Sequence, residues 1–309
     1  VKNTVARFAA CLNIDDLANT VVERFSRRFQ ILVYHKVSPD THPFFEPTHP
    51  VVFEQQMQFL KQRYQVMPLT ELVERAKRGD IPDRAVAITF DDGYRDNYQY
   101  AFPILKKYGL PATVFVATGA IETGEILWHD RIFDAFRFAT APLMNLQSAL
   151  NKARELYGDG RRRWVENVEQ ELKPSFPPGY APYMLSWSQI REMHAAGIEF
   201  GSHTVTHPIL SRIPRDEMMK EVRESKQRLA EQLNANVVSF AYPNGRTSDY
   251  NDETKAALRQ CGYSYAVTTC AGFNRPLADP FDLRRGQPWQ KDIQLFRMKF
   301  FLQRRGLAL

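Results

Sequence analysis

The stretch VAITFDDGYRDN, residues 86–97, ends an apolar run on two adjacent carboxylates, Asp91 and Asp92. Negative charges beside a core are costly unless something pairs with them, and a metal ion is one such partner. Neighbouring side chains at a strand end point in different directions. One carboxylate can therefore bind a cation while the other stays free to accept a proton, although two acids in a loop also serve as a turn or cap. A second stretch, GSHTVTHP, holds two of the seven histidines, His203 and His207, four residues apart. One helical turn would bring both imidazoles to one side, while Pro208 disfavours α geometry at His207. Two imidazoles and one carboxylate leave coordination positions open for water. That is the makeup of a catalytic divalent-metal site, first of all for Zn2+, with Co2+ and Ni2+ also suited.

These residues need a frame. FQILVYH (29–35), AVAITF and IEF are apolar runs read as buried strands, and VVSFAYP, YSYAVTT and FDLRRG are further strand candidates. Between them lie helical patterns: Phe53 to Arg63, a segment with Thr70 as N-cap and Gly79 as stop, and residues 214–233 with Met218, Val222, Leu229 and Leu233 on one face. Gly109 and Gly197 end two more helices. Strands that alternate with helices and read as continuous apolar runs predict a parallel sheet covered on both faces. In such folds chemistry sits in the loops after the strands, where Asp91, Asp92, His203 and His207 lie. Residues 135–185 break the rhythm and read as an insertion over the end of the sheet. Residues 1–28 read as an N-terminal helical extension, from the spacing of Val5, Phe8, Ala9 and Leu12, which leaves peripheral contact with a membrane surface open.

The formal net charge of +6 is scattered in short clusters, with no basic stripe or tail, which argues against nucleic acid as partner. Three cysteines, none in a C-x-x-C pair, argue against a disulfide framework. No run of about 18 apolar residues is present, so no transmembrane span is expected. The first residues do not read as a signal peptide, which points to a cytoplasmic or inner-membrane-associated protein.

TFDDGY, then SHTVTH about 110 residues on, then FAYPNG, together resemble the polysaccharide deacetylases of carbohydrate esterase family four, the NodB-homology domain. LVYHKV near the start is similar to the poly-N-acetylglucosamine deacetylase branch, in which the motif order is permuted. The resemblance covers roughly residues 30–290. It implies a distorted (β/α) barrel of about seven parallel strands with a helical insertion, the deacetylase domain occupying residues 29–309. Carried over to this chain, it assigns Asp92, His203 and His207 to the metal and Asp91 to the general base. The family's third motif has an arginine where this chain has Ala241, and Arg285 in LRRG is the candidate substitute. Asn244 stands where the family has an aromatic residue, and its backbone N–H is the expected oxyanion donor. No histidine follows His207, so the C-terminal catalytic histidine motif is absent. His35 of the YHKV motif is the expected acid, with His129 in LWHDR as rival. Trp128, His129, Asp130 and Tyr242 are expected on the substrate wall.

The implied reaction is hydrolysis of N-acetyl groups on an N-acetylhexosamine polysaccharide or glycolipid, releasing acetate. The alternatives are an O-acetyl esterase, a non-sugar amidohydrolase, or a carbohydrate-binding protein that has lost its chemistry.

Overall fold

The computed structural model describes residues 28–123, 126–139, 144–178, 180, 183–288 and 290–304. The expected N-terminal helix and Cys11 lie outside them. In chain order the elements are β1 (Gln30–Tyr34), α1 (Pro50–Arg63), β2 (Gln65–Val66), α2 (Leu69–Lys77), β3 (Ala85–Phe90), α3 (Phe102–Tyr108), β4 (Thr113–Val116), α4 (Trp128–Arg137), α5 (Leu146–Glu155), α6 (Gly158–Leu172), α7 (Trp187–Ala195), β5 (Glu199–Ser202), α8 (Arg215–Leu233), β6 (Ser239–Ala241), α9 (Asp252–Gln260), β7 (Tyr265–Val267) and α10 (Ile293–Arg304).

Every ladder is parallel, in the order β1-β3-β4-β5-β6-β7, and β2 pairs with the first two residues of β3. FDLRRG, expected as a strand, forms no ladder. It makes single parallel bridges instead, Leu283 to Val267 of β7 and Gly286 to Leu32 of β1. That segment joins the last strand to the first, which gives the expected distorted (β/α) barrel of seven parallel strands.

Strands β1 and β3 are buried at every position, as two-sided cover requires. Inside the barrel, Ile31, Ala85, Ala87, Phe115, Val267 and Leu283 cluster with Leu69, Leu72 and Val73 of α2. The alternate residues Leu32, Val86, Ile88, Phe90 and Val114 pack outward on Phe53, Met57 and Leu60 of α1 and on the wider helical shell. Because side chains alternate, Ala85, Ala87, Thr89 and Asp91 share the inner face, and the row leads straight to the C-terminal end of the strands. Thr70 is not the cap of α2. Pro68 holds that position, and Thr70 ties the helix to the barrel through Glu199 Oε2 (3.2 Å) and the Tyr265 hydroxyl (2.8 Å).

The inner face has little room at β5. A Cβ on Gly201 would stand 2.4 Å from Ser239 Oγ and 2.5 Å from the Phe115 ring. Gly201→Ala is expected to destabilise by ~1–3 kcal/mol through overpacking, read as a lower midpoint in urea with an unchanged slope.

Helix α4, which begins ahead of the stretch that broke the strand–helix rhythm, buries a separate cluster with α5 and α6 inside it, including Trp128, Ile132, Phe136, Leu150, Val165 and Val168. Among the described residues no helix is long and apolar enough to cross a membrane. Cys261 and Cys270 are free thiols.

Candidate metal centre and active-site cleft

All parallel strands deliver their C-terminal ends to one side, so the loops after β1, β3, β5 and β6 and the closing segment meet there. They line a cleft of about 540 Å3 that holds His35, Asp91, Asp92, His203, His207 and Asn244.

Asp92, His203 and His207 converge, all buried, with one ligand atom from each within 4.8 Å of the others. Asp92 Oδ1 is 3.4 Å from His203 Nε2 and 3.4 Å from His207 Nε2. The chain reaches this arrangement through left-handed backbone. Asp92 (φ 76°) and Gly93 (φ 83°) turn sharply after β3. A Cβ on Gly93 would lie 3.1 Å from Val116, so the turn is close as well as strained. No helical turn forms between the two histidines. Thr204 (φ 67°) and His207 (φ 57°) bend the loop instead, and non-glycine residues held there are a mark of function. Glu221 of α8 holds the bend through the amides of Val205 (2.7 Å) and Thr206 (2.9 Å). The His207 carbonyl accepts from Trp128 Nε1 (2.9 Å) and from the Arg161 guanidinium (3.2 Å), which ties α4 and α6 to the site.

The donor set fits a divalent cation. His203 Nδ1 lies 2.7 Å from the Ala241 carbonyl, which can only accept, so the neutral ring carries its proton there and turns the Nε2 lone pair toward Asp92. Burial disfavours the charged form of both imidazoles. For His207 it prevails and the pKa falls to about 3. For His203 the hydrogen bond to Asp92 and the charges of Asp91 and Asp92 outweigh burial, and the pKa rises. Burial also opposes the Asp92 charge, yet its two histidine partners hold its pKa well below the ordinary value. Three acceptors converging out of water, with open directions toward the cleft, are what a catalytic metal site requires.

Beside them, Asp91 is 1% exposed and faces Arg285, which is fully buried. The guanidinium makes a two-pronged bond, NH1 to Oδ1 at 2.7 Å and NH2 to Oδ2 at 2.6 Å. Two more of its donors reach the Thr268 carbonyl (2.7 Å) and Thr89 Oγ1 (3.1 Å). Arg285, the candidate substitute for the absent family arginine, reaches Asp91 from the segment that closes the barrel. Burial alone would raise the pKa of Asp91, but the charge and hydrogen bonds of Arg285 hold it below the usual value. His35 sits at the mouth, 42% exposed, with Nε2 3.9 Å from Asp91 Oδ2. Asn244 (φ 58°) lines the same cleft, and among the described residues its backbone N–H donates to nothing.

The expected substrate wall separates. Trp128 and His129 line the cleft. Asp130 also borders it, but its oxygens are engaged by Lys36 Nζ (3.2 Å) and the Tyr94 hydroxyl (2.9 Å). Tyr242 is not at the cleft, which corrects its expected place. Its ring is fully buried and stacked on Tyr250 at 4.2 Å, and its hydroxyl donates to the Phe281 carbonyl. The residue falls on the outward face of the turn after β6, the face that packs the core. Residues not foreseen include Glu221, Arg161 and Lys36. The one signal for Glu221 was an acid seated beside the apolar stripe of its helix, between Met218 and Val222.

Comparison with known proteins agrees with this geometry. The profile of the polysaccharide deacetylase family matches residues 78–266. The Bacillus subtilis protein YxkH is 26% identical over 260 residues, covering 84% of this chain and 70% of its own length. A Staphylococcus aureus poly-beta-1,6-N-acetyl-D-glucosamine N-deacetylase is 26% identical over 226 residues, 70% of this chain and 59% of that enzyme. Among solved structures, the Streptococcus pyogenes deacetylase PplD in complex with acetate superposes with a TM-score of 0.62 at 27% identity, covering 84% of this chain and 92% of PplD. With its family motifs on the strand ends and its acids and histidines gathered at one cleft, the chain belongs to the polysaccharide deacetylase family.

Proposed function

We propose that this protein removes N-acetyl groups from an N-acetylhexosamine polysaccharide or glycoconjugate and releases acetate, with Zn2+ held by Asp92, His203 and His207. The observation that carries the reading is the buried Asp91–Arg285 pair beside three converging metal ligands. The names of two relatives support it: the Staphylococcus aureus enzyme acts on an N-acetylglucosamine polymer, and PplD is a deacetylase seen with acetate.

When bound, the metal supplies Lewis-acid polarisation of the amide carbonyl and of the attacking water. The chain's own residues move the protons. Asp91 is ionised at neutral pH, because Arg285 holds its pKa down, and it accepts the proton of the water as it attacks. The Asn244 N–H donates to the oxygen that gains charge. An amine leaves badly unless protonated, and His35 at the cleft mouth is placed to supply that proton. His129 is the poorer acid, since burial lowers its pKa and its ring lies against His207.

The test is acetate release from N-acetylglucosamine oligomers by the zinc-loaded protein. Release that a chelator stops and zinc restores is the expected result, and a zinc-loaded protein that releases none rejects the reading. An O-acetyl esterase on the same site is separated by His35→Ala. We expect amide hydrolysis to fall ~10²–10⁴-fold in that variant, with hydrolysis of an O-acetyl ester much less affected because an alkoxide leaves more readily. Unchanged amide turnover would remove His35 from the acid role and favour the esterase.

A further inference from the structure

Most charges lining the cleft are already paired. Asp91 is bound by Arg285, Asp130 by Lys36, and Glu46 by Lys291, while Asp92 faces the metal site. Arg154 on α5 also lines the cleft, yet among the described residues its side chain has only a neutral partner, Asn151 Oδ1 at 2.9 Å. Two more guanidinium groups stand near it. Arg212 donates to the Arg154 carbonyl at 3.4 Å, and Arg246 follows the Asn244–Gly245 turn at the cleft. Neither Arg154, Arg212 nor Arg246 makes an ion pair among the described residues. Burial, and then the charge of Arg246, lower the pKa of Arg154, with a smaller push from Arg212. Asp249 is the acid that opposes them, and it is itself held by the Arg246 amide (3.0 Å) and the Ser248 hydroxyl (3.3 Å). Arg154 is the one of the three that lines the cleft, and the charges of Arg246 and Arg212 behind it, against one committed carboxylate, leave its end of the cleft positive.

We propose that Arg154, reinforced by the charges of Arg246 and Arg212, forms a subsite for an anionic group on the substrate, a carboxylate or a phosphate carried near the N-acetyl group that is cleaved. Guanidinium groups suit both anions because they offer forked donors and stay charged. A substituent bound there selects acidic glycans over neutral ones. This inference rests on the deacetylase reading for the sugar but not for the anion.

The test is direct binding to the zinc-loaded protein by titration calorimetry. Three probes serve: a neutral N-acetylglucosamine tetramer, a tetrasaccharide alternating N-acetylglucosamine with glucuronic acid, and N-acetylglucosamine 1-phosphate. At least one anionic probe is expected to bind about tenfold more tightly than the neutral tetramer, or ~1.4 kcal/mol. The preference should fall as salt rises. It should vanish in Arg154→Gln/Arg246→Gln and return in part with Arg154→Lys. Arg246 is exposed, so Arg246→Gln alone is expected to fold normally and weaken the preference. Which anionic probe is favoured separates carboxylate from phosphate. Equal binding of all three probes, or a preference that survives the double substitution, overturns the subsite. Anion preference without acetate release from any probe would sink the deacetylase reading and leave the subsite standing.

Discussion

In Asp91→Asn, acetate release from an N-acetylglucosamine oligomer is expected to fall by ~10²–10⁴-fold while the zinc content stays that of the parent protein. The carboxamide has the shape of the carboxylate but cannot take a proton from water. The three proposed metal ligands are other residues, and none of them bonds to Asp91 through its side chain. Loss of turnover with retention of metal would therefore isolate the proton-transfer step. Metal analysis and acetate assay on the same preparation read both. Full turnover in the variant would remove Asp91 from the base role. The pH profile adds a sign. The Asp91 pKa lies below the ordinary aspartate value, so its base form is complete at neutral pH. A fall in kcat/KM between pH 5 and 7 in the parent protein must then come from another group.

Much of this site was legible in the chain because its ligands sit directly after apolar runs. A strand that ends on Asp91 and Asp92 announces its own C-terminal end, and the parallel order follows from two-sided burial. What was not legible depended on backbone conformation and on contacts distant in sequence. The four-residue spacing of His203 and His207 suggested a helical turn, whereas Thr204 and His207 adopt left-handed backbone that spacing alone does not encode. Arg285 could be proposed only by resemblance and elimination. Its reach to Asp91, 194 positions away, exists because single bridges at Leu283 and Gly286 close the barrel. Short bridges of that kind leave little periodicity in a sequence. Tyr242 was misplaced for a different reason. Resemblance put it on the substrate wall, whereas the alternation that turns Ala241 inward carries Tyr242 outward with Phe240 into the core. Trp128 lines the cleft, and its indole N–H also fixes the carbonyl of His207, a contact its position in the chain does not show.

Arg285→Met is expected to cost ~3–5 kcal/mol of stability, because it leaves a buried carboxylate without its cation. Arg285 is fully buried and spends donors on Asp91, Thr89 and the Thr268 carbonyl, so several acceptors lose partners at once. The pH dependence gives the loss a signature. In the parent protein the folded-state pKa of Asp91 is depressed. Its contribution to stability is therefore present above the unfolded value, about 3.9, and is lost as pH falls through the lower folded value. In the variant burial is no longer opposed by Arg285, and the folded pKa moves up. The protonated acid is then the form that folds best, so the variant is penalised as pH rises above the unfolded value. The difference in Tm between the two proteins should be large at pH 7 and shrink toward pH 4. A difference that does not change with pH would mean that lost packing, not lost charge, is responsible. Asp91→Asn/Arg285→Met supplies the control, since removing both charges removes the stranded carboxylate. We expect it to be more stable than Arg285→Met alone, with a coupling energy in the double-mutant cycle of ~1–3 kcal/mol. In surviving activity of Arg285→Met, the acidic limb of kcat/KM should move to higher pH as the base becomes harder to ionise. Arg285→Lys, which keeps the charge and loses the fork, should fall between the two in both stability and pH limb.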